Sequence, residues 1–321
     1  MMRANGFSKK MNRATYGLAL ALSLAACDND DLTELNQEVL ADAVQEANEA
    51  DSLGIPAAAL PANTDPIPSA ATRQAIDVDA YSLVFNDEFN GSDIDPTKWN
   101  TSMAWGPDVV INEEIQHYVD TQANPDAAYN PFLFDGEALI ISASETPEAF
   151  ADAAQGQPYV SGALTSLGNF DFSFGYVEAR VDLPEGAGLW PSIWMLGSEF
   201  EDLKPQLYVL EYNGGNTNSV FHNYNYTDAE GNLRSPRQHE VTVNDVSSGW
   251  QTIGLRWSEE ELVFYVNGFP TFQVNGENVA SQSMYLLMNL AVGGIWVDAP
   301  DASTPSPAEF KVDYIRVYQT N

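Results

Sequence analysis

Leu262-Val263-Phe264-Tyr265-Val266-Asn267-Gly268-Phe269-Pro270-Thr271-Phe272-Gln273-Val274 decides the fold. Two short runs rich in β-branched and aromatic residues, Leu262–Val266 and Thr271–Val274, flank Asn267-Gly268. Asn and Gly tolerate the positive φ values of the tightest hairpin turn, so this stretch reads as a β-hairpin. Runs of the same kind lie on either side: Ala138–Ala143, Gly175–Val181, Gln251–Trp257, Met284–Leu290 and Phe310–Tyr318, separated by Gly, Pro, Asn and Asp. No long helical period interrupts them. Many short strands with frequent turns over some 240 residues imply an all-β, two-sheet sandwich of jelly-roll type. The domain is read as 79–321, with Trp99, Trp250 and Trp257 in its core.

Outward from this domain the composition changes. Residues 28–78 are acidic, alanine-rich and dotted with Pro56, Pro61, Pro66 and Pro68. They read as an extended tether, with room for a short amphipathic helix through Leu32, Leu35, Val39 and Ala43. Residues 1–27 carry Arg3, Lys9, Lys10 and Arg13 with no acid, then the apolar run Tyr16–Ala26. Spanning a bilayer takes about 20 apolar residues, so this run is a signal h-region. It ends in Leu24-Ala25-Ala26-Cys27, which resembles the bacterial lipoprotein processing box. A lipidated Cys27 would anchor an exported protein in the cell envelope, on its periplasmic or outer side; a plain secretory signal is the alternative. Asp28 leaves the destination membrane open.

Charge and cysteine content narrow the function. The chain has 321 residues and a formal net charge of −33. The leader contributes +4 and residues 28–80 contribute −11, leaving −26 on the remainder. So acidic a domain repels phosphate backbones, which argues against nucleic acid and for a neutral ligand. Cys27 is the lone cysteine, so no intramolecular disulfide or cysteine-based metal site can form. His117, His222 and His239 lack ligand spacing. Nothing calls for a second subunit, and a monomer is expected.

Leu189-Trp190-Pro191-Ser192-Ile193-Trp194-Met195-Leu196 and Gln206-Leu207-Tyr208-Val209-Leu210-Glu211-Tyr212 make the reading specific. With Asn86–Gly91, Lys98–Asn100, Asn112–Tyr118, Phe174–Arg180, Asn289–Gly294 and Val312–Tyr318, in this order, the domain resembles glycoside hydrolase family 16, most closely its laminarinase (β-1,3-glucanase) members. The resemblance implies a glycan cleft across the concave face. It also implies a retaining mechanism with carboxyl groups about 5–5.5 Å apart, on one strand spaced Glu-x-Asp-x-x-Glu, with a β-bulge that turns the second Glu into the cleft. Here the nucleophile position is Gln206, the middle aspartate position is Tyr208, and only the acid/base position, Glu211, keeps its carboxylate. Glu199, Glu201 and Asp202, in the loop before Pro205, are poorly placed to substitute.

The resemblance further assigns Trp190 and Trp194 to the cleft, Trp105 to its wall, and Asn112 and Glu114 to sugar hydroxyls. Trp296 is a further stacking candidate, and Asn225 takes the place of a cleft histidine, with His222 three residues earlier. Core packing and solvated loop polarity are the competing readings of these residues. Many relatives hold a structural calcium on the convex side, which points to Glu88 and Asp313 beside a backbone oxygen near Gly136; the alternative is two acids that bind nothing. No cofactor is required. The expected function is that of a lipid-anchored β-glucan-binding protein whose hydrolysis has been lost. The alternative is an active retaining endo-β-1,3-glucanase with an atypical catalytic set.

Overall fold

The computed structural model describes residues 67, 75–125, 127–198, 205–228, 231–234, 239–276 and 278–321. The leader, Cys27, the helix considered over residues 32–43 and the acids Glu199, Glu201 and Asp202 lie outside them. The strands in chain order are β1 (Tyr81–Asp87), β2 (Gln116–Tyr118), β3 (Phe132–Phe134), β4 (Leu139–Glu145), β5 (Tyr159–Ser161), β6 (Ala163–Thr165), β7 (Asp171–Phe172), β8 (Gly175–Asp182) and β9 (Leu189–Gly197). There follow β10 (Gln206–Glu211), β11 (Ser219–Thr227), β12 (Leu233–Arg234), β13 (His239–Thr242), β14 (Gln251–Trp257), β15 (Glu261–Val266), β16 (Phe269–Asn275), β17 (Met284–Val292) and β18 (Ala308–Thr320).

One sheet runs β16-β15-β14-β8-β18-β4-β5-β2, with β1 on β18 and β3 on β4. The other runs β12-β11-β10-β9-β17-β6, with β13 on β11 and β7 on β17. This is the expected all-β sandwich. Its core lies between the sheets, where Val177, Ala179 and Val181 of β8 join Leu207, Val209, Met288 and Leu290 in one buried cluster. On β8 these residues alternate with half-buried Glu178, Arg180 and Asp182, so one face of that strand is apolar and the other polar. By contrast β9, β10 and β17 are buried at every position. The outer face of the second sheet is therefore covered as well.

The hairpin forms as its sequence requires. Asn267 and Gly268 have φ of 51° and 76°, a two-residue turn with both centres left-handed. Asn267 also caps the neighbouring strand: its Oδ1 accepts from the Thr252 N–H at 2.8 Å and its Nδ2 donates to Gln251 Oε1 at 2.8 Å. The second strand begins at Phe269, before the expected Thr271, and its register shifts where Pro270, lacking an N–H, faces Tyr265.

Two expectations shift. Trp99 and Trp257 are core residues, but Trp250 is only partly buried and lies under the Arg180 guanidinium, 4.6 Å from the ring centre. The packed domain also begins before residue 79. Ile67 forms a parallel bridge with Val243 and is buried in the main core. Ile76 packs on Tyr176, Val263 and Tyr265.

Candidate functional site

Strand β10 carries the three positions singled out by the motif. Gln206 sits opposite Leu196 and Asn225, and Tyr208 opposite Trp194 and Asn223. The register then shifts, so that Glu211 falls opposite Ser192 and Phe221. This is a β-bulge: Leu207, Val209 and Leu210 all join the inter-sheet core, and Glu211 returns to the face of Gln206 and Tyr208.

Gln206 is fully buried. Its Oε1 accepts from Asn225 Nδ2 at 3.0 Å and from the Tyr208 hydroxyl at 3.2 Å. The Tyr208 ring lies parallel to Trp194, with centroids 5.3 Å apart and planes 2° apart. Trp105 leans on Trp194 at 6.2 Å. Together with Met103, Ile111, Tyr118, Leu196, Tyr285 and Leu287 these rings form a second apolar cluster, outside the main core, over the second sheet. Trp105 is thus a correction to the sequence reading. It is 1% exposed, packed behind Trp194 rather than standing on a cleft wall.

Beside this cluster is a narrow recess of about 20 Å³, lined among others by Asn112, Glu114, Tyr118, Trp190, Ser192, Trp194, Tyr208 and Asn289. Asn112 and Glu113 both have left-handed backbones, φ 55° and 54°. That paired turn delivers Glu114 to a bridge with Gly293 and turns its side chain inward. The buried carboxylate accepts from Asn112 Nδ2 at 2.9 Å, Gln116 Nε2 at 2.6 Å and the Tyr118 hydroxyl at 3.3 Å. Burial nevertheless raises its pKa to about 7, against the pull of those three donors. The Tyr118 oxygen accepts from Asn289 Nδ2, and Asn289 Oδ1 accepts from Trp194 Nε1, both at 2.9 Å. One polar chain therefore ties Glu114 to the edge of Trp194.

At the other side Trp190 packs against Trp296 at 5.0 Å, and Phe221 meets Trp296 edge to face at 5.1 Å. The Trp190 indole N–H is buried without a partner. Trp190, Trp194, Asn112, Glu114 and Tyr208 are thus brought together, with Trp296 alongside Trp190. Asn225 stands with Gln206, while His222 has an orientation of its own. It is buried against Phe264, with Nδ1 2.7 Å from the Val209 carbonyl oxygen and a pKa pushed down to about 3 by burial. Sequence reasoning missed Gln116, Tyr118, Asn289 and Phe221. For the first two a signal existed: Glu114, Gln116 and Tyr118 alternate, and alternate strand residues share a face.

Glu88 and Asp313 do not make a cation cage. Arg316 binds the Glu88 carboxylate through both Nε (2.8 Å) and Nη2 (2.5 Å), and Arg180 pairs with Asp313. Among the described residues no three His, Cys, Asp or Glu side chains converge on a metal position. The arginines supply the positive charge that calcium would, so this donor set does not fit the ion.

Comparisons with known proteins agree on one lineage. The model of glycosyl hydrolases family 16 matches residues 113–316. The endo-1,3-1,4-beta-glycanase ExsH of Rhizobium meliloti is 32% identical over 253 residues, 77% of this chain and 53% of that protein. The chain thus spans about half the length of this relative. The laminarinase catalytic domain of Thermotoga maritima superposes with a TM-score of 0.64 at 26% identity, covering 75% of this chain and 99% of that one. A more distant relative, the beta-1,3-glucan-binding protein of Penaeus monodon, is 25% identical over 191 residues, 47% of this chain and 51% of that protein.

Proposed function

The chain belongs to glycosyl hydrolases family 16, and from that membership we propose that it is a β-glucan-binding protein of the bacterial cell envelope that has lost hydrolysis. The observation that carries this reading is the buried amide of Gln206 where the family motif has its nucleophile. An amide has no negative charge to stabilise an oxocarbenium-like centre and is a very poor nucleophile. Its oxygen is already engaged by two donors. The helper position holds the Tyr208 ring, stacked on Trp194. Glu211 is left without the second carboxylate that a retaining mechanism needs.

Aromatic and polar groups about the recess support the binding half of this reading. Half-buried Trp296, packed on Trp190, has a flat apolar face of the kind that sugar rings stack on. Glu114, Asn112 and Asn289 offer acceptors and donors to hydroxyl groups. The Penaeus monodon relative, named for binding beta-1,3-glucan, supports the same use of the fold. Export and lipidation at Cys27 belong to the proposal through the Leu24–Cys27 box.

A second reading has its own support. Relatives named as glycanase and laminarinase, together with the retained Glu211, favour an endo-β-glucanase with an atypical catalytic set. Two assays on one preparation separate them: retardation on laminarin-containing native gels, and release of reducing sugar. Retardation without release is expected. Turnover at the rate of an ordinary glucanase would overturn the binding reading, and absence of retardation would overturn glucan as the ligand.

A further inference from the structure

Strand β2 faces two ways. Gln116 and Tyr118 donate to Glu114 at the recess. His117, between them, turns to the opposite side, since alternate strand residues share a face. There it lines a second cavity, of about 610 Å³ against about 20 Å³ for the recess. That volume lies well inside the ~300–1,000 Å³ range of small-ligand pockets. The floor is a small core of its own, in which Val119 and Phe150 pack with Ala154 and Val160. The walls are hydrogen-bonded turns. The Ala127 N–H donates to the Asn124 carbonyl at 3.0 Å, and the Ala154 N–H to the Phe150 carbonyl at 2.9 Å. The space is therefore built into the fold.

His117 is the group that asks for a ligand. It is 7% exposed, yet its ring nitrogens have no hydrogen-bond partner among the described residues. Its ring meets Phe150 edge to face at 6.0 Å. Buried polar groups are bonded as a rule, so an exception this deep marks a place where a ligand can supply the partner. Burial holds the imidazole pKa below its usual value, against the pull of Asp108. At neutral pH the ring therefore offers one donor and one acceptor. Asp108 and Asn124 add polar groups at the exposed rim. Asp120 Oδ1 is taken up by the Thr101 hydroxyl and the N–H groups of Gln122 and Ala123. Among the described residues that line the cavity there is no lysine or arginine, so an anion finds no counter-charge here. A fitting ligand pairs donor with acceptor along one edge and lays apolar surface on Val119, Phe150 and the surrounding alanines. A sugar ring does both, through its hydroxyl groups and its C–H face. We propose that this cavity is a second saccharide site, separate from the recess, which holds a short run of glucosyl units against His117. The choice of glucosyl units rests on the glucan-binding reading and deepens it.

Titration calorimetry of the full chain in detergent with a β-1,3-linked glucose disaccharide tests this on the wild type and two variants. Ala149→Trp adds a ring from the exposed rim of the cavity. His117→Phe keeps a ring against Phe150 and removes both nitrogens. Each variant, checked for folding by thermal melts, should bind the disaccharide at least about tenfold more weakly, ~1.4 kcal/mol. Imidazole NMR signals of the wild type give a reading free of substitution. Of the three histidines, His117 alone should respond as disaccharide is added. Unchanged affinity in either folded variant, or His117 signals that stay still, overturns the inference and leaves glucan binding intact. So does a wild type that laminarin retards but that takes no disaccharide. Butylammonium bound in the cavity in place of the disaccharide overturns the saccharide assignment. A wild type that neither binds the disaccharide nor is retarded by laminarin overturns the glucan-binding reading itself, and the inference with it.

Discussion

Replacing Glu114 by Gln isolates the electrostatics of the recess. Burial lifts this carboxyl from 4.5 to about 7 even with three donors pointed at it. The folded protein therefore holds the proton more tightly than the unfolded chain does. By linkage, the associated stability is fully present below about pH 4.5 and is lost as pH rises through 7. At 1.36 kcal/mol per pKa unit, a shift of about 2.5 units corresponds to roughly 3 kcal/mol. The Gln side chain has the same shape and does not titrate, and Asn112 can turn its amide to meet the new donor. The assay is urea denaturation of wild type and Glu114→Gln at a series of pH values, taking the difference so that the other carboxyl groups cancel. The variant should gain on the wild type by about 3 kcal/mol between pH 4.5 and 8. A flat difference curve would refute the reasoning, since it would mean that water reaches the carboxylate and that the recess is wet.

Four further variants probe other links. Cys27→Ser should move the protein from membrane to soluble fractions, and unchanged membrane retention would rule out the anchor. Gln206→Glu alone should cost stability and give no sugar release, because it places a carboxylate in a fully buried site with two donors. Adding Tyr208→Asp lifts the ring off Trp194 and restores the acidic set, so the double variant should release sugar from laminarin; a folded, glucan-binding double variant without turnover would show that the loss lies beyond β10. Gly294→Ala should destabilise by about 1–3 kcal/mol and weaken glucan binding. The residue has φ of +108°, and a Cβ there would lie 2.9 Å from the Asn112 carbonyl oxygen and 3.4 Å from Glu114 and Trp190. Unchanged melting would mean that the turn at residues 112–114 yields freely.

What could be read from the residues was what neighbours along the chain dictate. Asn267-Gly268 announces its turn through local backbone preference, whereas the bulge after Tyr208 was legible only through the family's motif spacing, which puts one extra residue between two face-sharing positions. The apolar cover on the outer face of the second sheet was not legible. It depends on Met103, Trp105 and Ile111 packing over strands far along the chain, and nothing in their local pattern says where they land. A sign was present in Met284–Val292, apolar on both faces, which an open concave sheet would not require. Ile67 and Ile76 were hidden for a related reason: single apolar residues in an acidic, proline-dotted stretch carry no period. Glu88 and Asp313 matched acidic positions by type, while their arginine partners came from other strands.

The bridge between Ile67 and Val243 would set the length of a tether anchored at Cys27. If Cys27 carries a lipid, 40 residues of chain separate it from Ile67, a contour length of at most about 130–140 Å. Attachment at residue 78 would have given 51 residues and roughly 40 Å more reach. The volume that a domain tethered in this way could search grows steeply with that radius, so under a Cys27 anchor the bridge would hold the domain nearer the membrane. It would also fix where such a tether meets the domain, beside β13 on the margin of the sheet that carries the recess.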